Sequence, residues 1–188
     1  LLNSRYRIVK KLGFGVFSVV YLSYDYKLSI FRALKVSKSA KSYTKVAVDE
    51  IKLLSKIESK YCCKLHDDFK YESIFGIHIV SVFEVYGETL FSVISNHNYS
   101  GIEPKYVKLI CICIIKALID VHEKTKIINT DIKPENILVK DPIKKNQHII
   151  DSYKPPPINT PVKLINKHHL TLTKSQMKRR KRQLAKIK

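Results

Sequence analysis

The chain has 188 residues, with 35 Lys or Arg against 16 Asp or Glu and a formal net charge of +19. Its longest apolar stretch, Tyr106 to Val121, is interrupted by Lys108 and Lys116, too short and too charged for a bilayer span of about 20 apolar residues. Cys62, Cys63, Cys111 and Cys113 show no zinc-ligand spacing, which excludes a zinc-ribbon reading and leaves free thiols.

The first predicted elements are strands at about 6–13 and 17–25. Between them runs Leu12-Gly13-Phe14-Gly15-Val16-Phe17-Ser18-Val19-Val20. Two glycines at this spacing let a hairpin backbone close over nucleotide phosphates, where a Cβ would obstruct. Ser18 stands where a third glycine is usual. A hairpin with two turn glycines is more often only a hairpin, so this stretch carries little by itself.

A third strand, at about 29–37, contains Ala33-Leu34-Lys35-Val36. One inward lysine on an apolar strand suits a group that grips the α- and β-phosphates; a solvated lysine on an edge strand is the plainer reading of such a residue alone. The next segment, about 43–57, reads as a helix with Val46, Ala47, Ile51 and Leu54 near helical spacing. It offers Glu50, fifteen residues after Lys35, as an ion-pair partner that positions the lysine. Asp49 is turned about 100° away and is expected to cap or face water.

Strands follow at about 65–71 and 77–84, so five strands and one helix make a twisted antiparallel sheet with a helix on it. A short helix should begin near Gly87-Glu88. The Tyr106 to Val121 run belongs to a long helix at about 104–124, opened by Glu103-Pro104, expected to be buried and to pack His122 at its end. A loop at about 127–136 and a short strand, Ile137-Leu138-Val139, come next. Within the loop, Asn129-Thr130-Asp131-Ile132-Lys133-Pro134-Glu135-Asn136 holds a phosphoryl-transfer kit. The Asp131 carboxylate can take a proton from an attacking hydroxyl, Lys133 can neutralise the moving phosphate, and the Asn136 oxygen can hold Mg²⁺.

Beyond residue 140 the composition changes. Residues 152–188 hold eleven Lys or Arg and no acid, so +11 of the charge lies there and +8 in residues 1–151. Pro155-Pro156-Pro157 marks an extended linker. Leu170 to Leu184 could form a short basic helix capped by Thr173, with Met177, Leu184 and Ile187 as a thin apolar stripe. Such runs are usually solvated and disordered; nuclear import, nucleic-acid contact or partner docking are the functional readings.

In this order the four pieces resemble a eukaryotic protein kinase. The glycine loop with Ser18, then Ala33-Leu34-Lys35-Val36-Ser37-Lys38-Ser39-Ala40, Tyr43-Thr44, Asp49-Glu50-Ile51-Lys52-Leu53-Leu54, His66-Asp67-Asp68-Phe69-Lys70 and Val82-Phe83-Glu84-Val85-Tyr86-Gly87 resemble the serine/arginine-protein kinases. So does Thr130 before the aspartate, where most kinases have arginine. The resemblance covers about residues 5–140.

It implies an α+β, bilobal kinase-like fold: small lobe with glycine loop and hinge at 1–86, start of the large lobe at 87–140, and a basic insert or spacer at 141–188. The nucleotide would be ATP with Mg²⁺, bound between the lobes. Leu12, Val20 and Ala33 would enclose the adenine. The lid residues Gly13, Phe14, Gly15, Val16, Phe17, Ser18 and Val19 would cover the phosphates. Phe83 would be the gatekeeper, and backbone groups of Glu84 and Tyr86 would bond the adenine edge. Lys35 and Glu50 would form the ion pair, Asp131 would be the base, Lys133 the phosphate partner and Asn136 the metal ligand. The family implies serines of arginine/serine-rich splicing proteins as substrates, and activity in cytoplasm and nucleus without a phosphorylated activation loop.

Two departures stand out. Asn129 replaces a histidine, which predicts a less rigid loop. No Asp-Phe-Gly or Asp-Leu-Gly occurs; Ile149-Ile150-Asp151-Ser152 offers an acid after an apolar run, but the Tyr153-Lys154-Pro155 that follows does not resemble the metal-binding turn. The length predicts a kinase fragment with an apolar face where the large lobe stops. The alternative function is a non-catalytic nucleotide-binding or scaffold protein with a basic tail.

Overall fold

The structure is a computed structural model and describes residues 1–140 and 144–158. Residues 1–155 form one compact unit; residues 156–188 form a second, of which 156–158 are described. The first unit opens with strands β1 (Tyr6–Phe14), β2 (Ser18–Asp25) and β3 (Ile30–Ser37), then helix α1 (Lys41–Leu54) and strands β4 (Leu65–Ser73) and β5 (Gly76–Phe83). All pairings are antiparallel and the sheet order is β1-β2-β3-β5-β4. This is the five-stranded sheet with one helix that the sequence pattern predicts.

Burial follows strand position. Edge strand β4 alternates half-buried and exposed along its whole length, the period of a strand covered on one face. Inner strand β5 is buried on both faces, with Ile79, Val80, Ser81 and Val82 all at 5% exposure or less. The core joins Leu2, Tyr6, Leu34, Val80 and Val82, flanked by Val36, Phe69 and Tyr71. Tyr6 and Phe69 stack with ring centroids 5.6 Å apart.

A charged buckle closes one end of the sheet. Arg5 makes a two-pronged bond to Asp25, Nε–Oδ1 2.8 Å and Nη2–Oδ2 2.7 Å, and reaches Asp67 Oδ2 at 3.0 Å. Tyr6 OH donates to the same Asp67 oxygen at 2.8 Å. Burial pushes the Asp25 carboxyl up, but the Arg5 guanidinium and the Lys27 and Leu28 amides outweigh it and hold the group below its ordinary value. Asp25→Asn should therefore cost about 3 kcal/mol, because it leaves a part-buried guanidinium short of its partner. The sign follows from the lowered pKa: the contribution is complete above the ordinary carboxyl pKa of 3.8 and fades as pH falls through the lower folded value. Urea melts at pH 7 and pH 3 check this, with the gap between variant and wild type narrowing only in acid.

Helix α1 spans 41–54 rather than 43–57. It begins early because Tyr43 and Thr44 amides already bond the Ala40 carbonyl. It ends early because Lys56 and Ile57 bond three residues back, to Leu53 and Leu54, tightening the chain out of the α-helix. Its inward stripe also differs. Val46 is 53% exposed, while Tyr43, Ala47, Glu50, Ile51 and Leu54 are half-buried. Asp49 faces water and pairs with Lys52 at 3.1 Å.

Helix α2 (Leu90–Asn96) starts past Gly87-Glu88 because Thr89 caps it, its hydroxyl accepting the Ser92 amide. Gly87 and Glu88 are engaged instead by Val139, through backbone bonds of 2.7 and 2.9 Å. The expected strand 137–139 is thus one isolated bridge, Leu138 to Thr89. Helix α3 (Pro104–Thr125) has Pro104 in its first turn and ends where Lys126 turns left-handed at φ 58°.

The expectation that α3 is buried is wrong: only Val121 is, while Leu109, Ile115 and Ile119 are 57%, 55% and 47% exposed. One stripe, Ile110, Cys113, Ile114, Ala117 and Leu118, is half-buried, and the C-terminal half meets the loop 58–61 through Asp120 and Lys124, while the opposite face stays open. His122 is exposed too, against expectation. None of the described helices is long and apolar enough to cross a membrane. Past residue 140, a helix α4 (Lys144–Ser152) forms within the segment read as a basic insert or spacer. The predicted basic helix at 170–184 lies outside the described residues.

Candidate active site

The lid is the β1–β2 turn. Gly15 N–H donates to the Ser18 carbonyl at 2.8 Å, which closes the turn around Val16 and Phe17. Both glycines have open space where a Cβ would stand: nothing lies within 4 Å of one built on Gly13, and only the Ser18 carbonyl, at 4.0 Å, near one on Gly15. Neither sits at positive φ. Internal packing therefore does not require glycine here, whereas close approach of another molecule to the backbone does.

The sheet carries the rest of the nucleotide set. β2 and β3 pair Val20 with Lys35, Leu22 with Ala33 and Tyr24 with Phe31. Side chains two residues apart share a face, so Val20 and Ala33 lie on the Lys35 side of the sheet. Leu12 is half-buried on β1, next to a bulge between Lys11 and Gly13. Phe83 pairs with Ala33 across β3 and β5, which sets the expected gatekeeper beside the expected adenine ceiling. Glu84, just past β5, has its carboxylate 3.4 Å from His66 Nε2, and the Tyr86 hydroxyl accepts the Lys64 amide at 3.4 Å.

Lys35 Nζ donates to Glu50 Oε1 at 2.5 Å, with both side chains about one-third exposed. Cys63, just before β4, is half-buried. Its burial first, then Cys62 and Glu84, push the thiol up to about 11, and Lys35 opposes them. Read from the sequence, Cys63 was only a free thiol, and a free thiol it is.

The second cluster is the loop after α3. Lys133 Nζ donates to Asp131 Oδ1 at 2.7 Å, and Asn136 Nδ2 donates to Asp131 Oδ2 at 2.8 Å and to its carbonyl at 2.9 Å. Lys133 first, then Asn136, hold the Asp131 carboxyl below its ordinary value, and Asp131 raises Lys133. The carboxylate is thus ionised at neutral pH, and its side chain is 63% exposed. Asn129 Oδ1 accepts the Asp131 amide at 2.9 Å. The substitution predicted to loosen the loop therefore adds a local bond that holds the aspartate backbone. Pro134–Asn136 form a single 3₁₀ turn that brings Asn136 back over Asp131.

The bonds of each cluster stay within that cluster. Gly87–Val139 ties the loop to the end of the hinge. A second seam joins Ser59 Oγ to Asp120 Oδ2 at 2.6 Å, beside a groove of about 490 Å³ lined by Glu58, Tyr61, Lys116 and Lys124 among others. None of the groove residues belongs to the nucleotide set. Nothing in the sequence flagged this seam, since its partners are 61 residues apart.

The residues suit ATP, given the open lid glycines and the paired ammonium. For a divalent ion the fit is one-sided. With its nitrogen turned to Asp131, Asn136 leaves its amide oxygen for a cation. Asp151, the weaker sequence candidate, instead sits on α4 and accepts Gln147 Nε2 at 2.7 Å. Among the described residues no group of three His, Cys, Asp or Glu is placed to hold a metal.

A family model described as "Protein kinase domain" matches residues 6–152. Serine/threonine-protein kinase SRPK of Physarum polycephalum is 48% identical over 144 residues, 73% of this chain and 34% of its own. Serine/threonine-protein kinase spk-1 of Caenorhabditis briggsae is 46% identical over 145 residues, 73% of this chain and 13% of its own. SRSF protein kinase 3 of Homo sapiens is 44% identical over 145 residues, 73% of this chain and 26% of its own. The chain thus spans about a third or less of these relatives. The crystal structure of a kinase domain superposes with a TM-score of 0.69 at 35% identity, covering 76% of this chain and 42% of the other.

Proposed function

Because the chain belongs to the protein kinase family, and within it is of the serine/arginine-protein-kinase type, we propose that the protein is a serine/threonine kinase that moves the γ-phosphate of ATP to serines of arginine/serine-rich proteins. The observation that carries this reading is the coexistence of the 2.5 Å Lys35–Glu50 pair with the Asp131–Lys133–Asn136 cluster. Lys35 would hold the α- and β-phosphates under the lid, and Leu12, Val20, Ala33 and Phe83 would enclose the adenine against Glu84 and Tyr86. Asp131 would orient and deprotonate the substrate hydroxyl, Lys133 would meet the transferred phosphoryl group, and Asn136 would offer an oxygen to Mg²⁺, which offsets developing phosphate charge when bound. Residues 1–86 serve as small lobe and hinge, 87–140 as the start of the large lobe, and 141–188 as a basic insert. Regulation of splicing from cytoplasm and nucleus is the matching role, with nuclear import or nucleic-acid contact for the tail.

The test is phosphate incorporation from labelled ATP and Mg²⁺ into an arginine–serine repeat peptide, beside an acidic serine peptide. Incorporation confined to the repeat peptide is expected. Incorporation into the acidic peptide alone would remove the substrate assignment, and ATP binding without any transfer would favour the scaffold reading.

A further inference from the structure

Lys38, Phe17 and Tyr43 meet between the lid and helix α1. The Lys38 ammonium donates to the Val16 carbonyl at the lid tip. The Lys38 amide donates to the Phe17 carbonyl at 2.9 Å, which extends the β2–β3 pairing one step beyond Ser18–Ser37. The Phe17 and Tyr43 rings pack edge to face, centroids 5.4 Å apart at 74°. Elsewhere the lid tip is open: Phe14 is 79% and Val16 66% exposed.

Tyr43 and Glu50 are seven residues apart on α1, close to two full turns, so they lie on one face of the helix. One rigid element thus touches the lid at its first turn and Lys35 two turns later. Lys38 sits three residues past Lys35, where β3 leads into that helix. A shift of α1 that breaks the Lys35–Glu50 pair also moves the ring that steadies the lid.

We infer that Lys38 and the Phe17–Tyr43 ring pair form a clasp that positions the phosphate lid on α1, so that lid placement and the Lys35–Glu50 pair change together. Lys38 and Tyr43 are positioning residues: they touch the lid and leave the adenine enclosure alone. This inference rests on the nucleotide reading of the cleft.

The experiment uses the full chain, titrated with ATP and with adenosine, and followed by hydrogen exchange at the Gly15 and Lys38 amides. Loss of a charge-assisted bond should weaken ATP binding by about tenfold in Lys38→Met, with adenosine binding unchanged. Tyr43→Ala should act in the same direction, and Lys38→Arg should restore most of the ATP affinity. Phe17→Ala combined with Tyr43→Ala should be no worse than either alone, since both remove one contact. Both lid amides should exchange faster in Lys38→Met. Unchanged ATP affinity, or equal weakening for ATP and adenosine, overturns the clasp. If wild type binds neither compound the nucleotide reading falls, and lid exchange then decides: protection equal in wild type and Lys38→Met overturns the clasp, and faster exchange in the variant upholds it.

Discussion

Replacing Asp131 with alanine is expected to lower phosphate transfer by about 10²–10⁴-fold, the usual contribution of one positioned general base. ATP affinity should stay near that of wild type. The reason is local. The Asp131 side chain is bonded to Lys133 and Asn136, both on its own loop. Asp131→Asn keeps the size and an acceptor oxygen but loses the charge that holds the Lys133 ammonium, so it should be nearly as damaged. Single-turnover assays with the arginine–serine peptide separate the chemical step from binding. Transfer at the wild-type rate by either variant would take the base role away from this residue. The lowered pKa keeps the titration of this carboxylate out of the working pH range. The carboxylate stays ionised until pH falls below its ordinary value of 3.8, so its protonation should not limit the rate between pH 5 and 8.

The second large effect is expected at the ion pair. Lys35→Met should reduce transfer by about 10²–10³-fold, the range seen when one charge-stabilising donor is removed from a site. Methionine keeps the length and apolar stem of the lysine, so the β3 pairing with Ser81 and Val20 should survive. Glu50→Gln should cost less, because its amide oxygen still accepts from Lys35. That ranking separates an electrostatic role from a packing role. Thermal melts that match wild type, with transfer lost, support the first. A Lys35→Met variant that transfers normally would show that the ammonium does not serve the phosphates.

The two clusters were legible in the sequence for different reasons. The Asp131 cluster is local: its members lie within eight positions, and a proline-led turn folds the asparagine back on the acid. Lys35 and Glu50 are fifteen residues apart, but one strand and one helix of ordinary length separate them, and their types match a known pairing. The strands were legible because Phe69 and Tyr71 alternate with charged residues on β4 and β5 is an apolar run broken only by His78 and Ser81. Where expectation failed, the deciding contact came from far along the chain or from its absence. The apolar run of α3 reads as buried, yet one stripe is only half-covered and Leu109, Ile115 and Ile119 on the other side are exposed. Residues 137–139 look like a strand, but the partner chain segment, 87–90, allows a single bridge.

Short-range composition determined the kind of protein: glycines free of bulk at a turn, an ammonium on an apolar strand, an acid, a lysine and an amide on one loop. Those features depend on covalent spacing and on the 2.0 and 3.6 residue periods, which a linear string displays. The tertiary structure alone decided the Arg5–Asp25–Asp67 buckle, the bond of Lys38 to the lid and the Ser59–Asp120 seam. Each joins residues brought close only when strands pair and helices dock, and the energy of a charge or a hydroxyl depends on which distant group arrives to meet it.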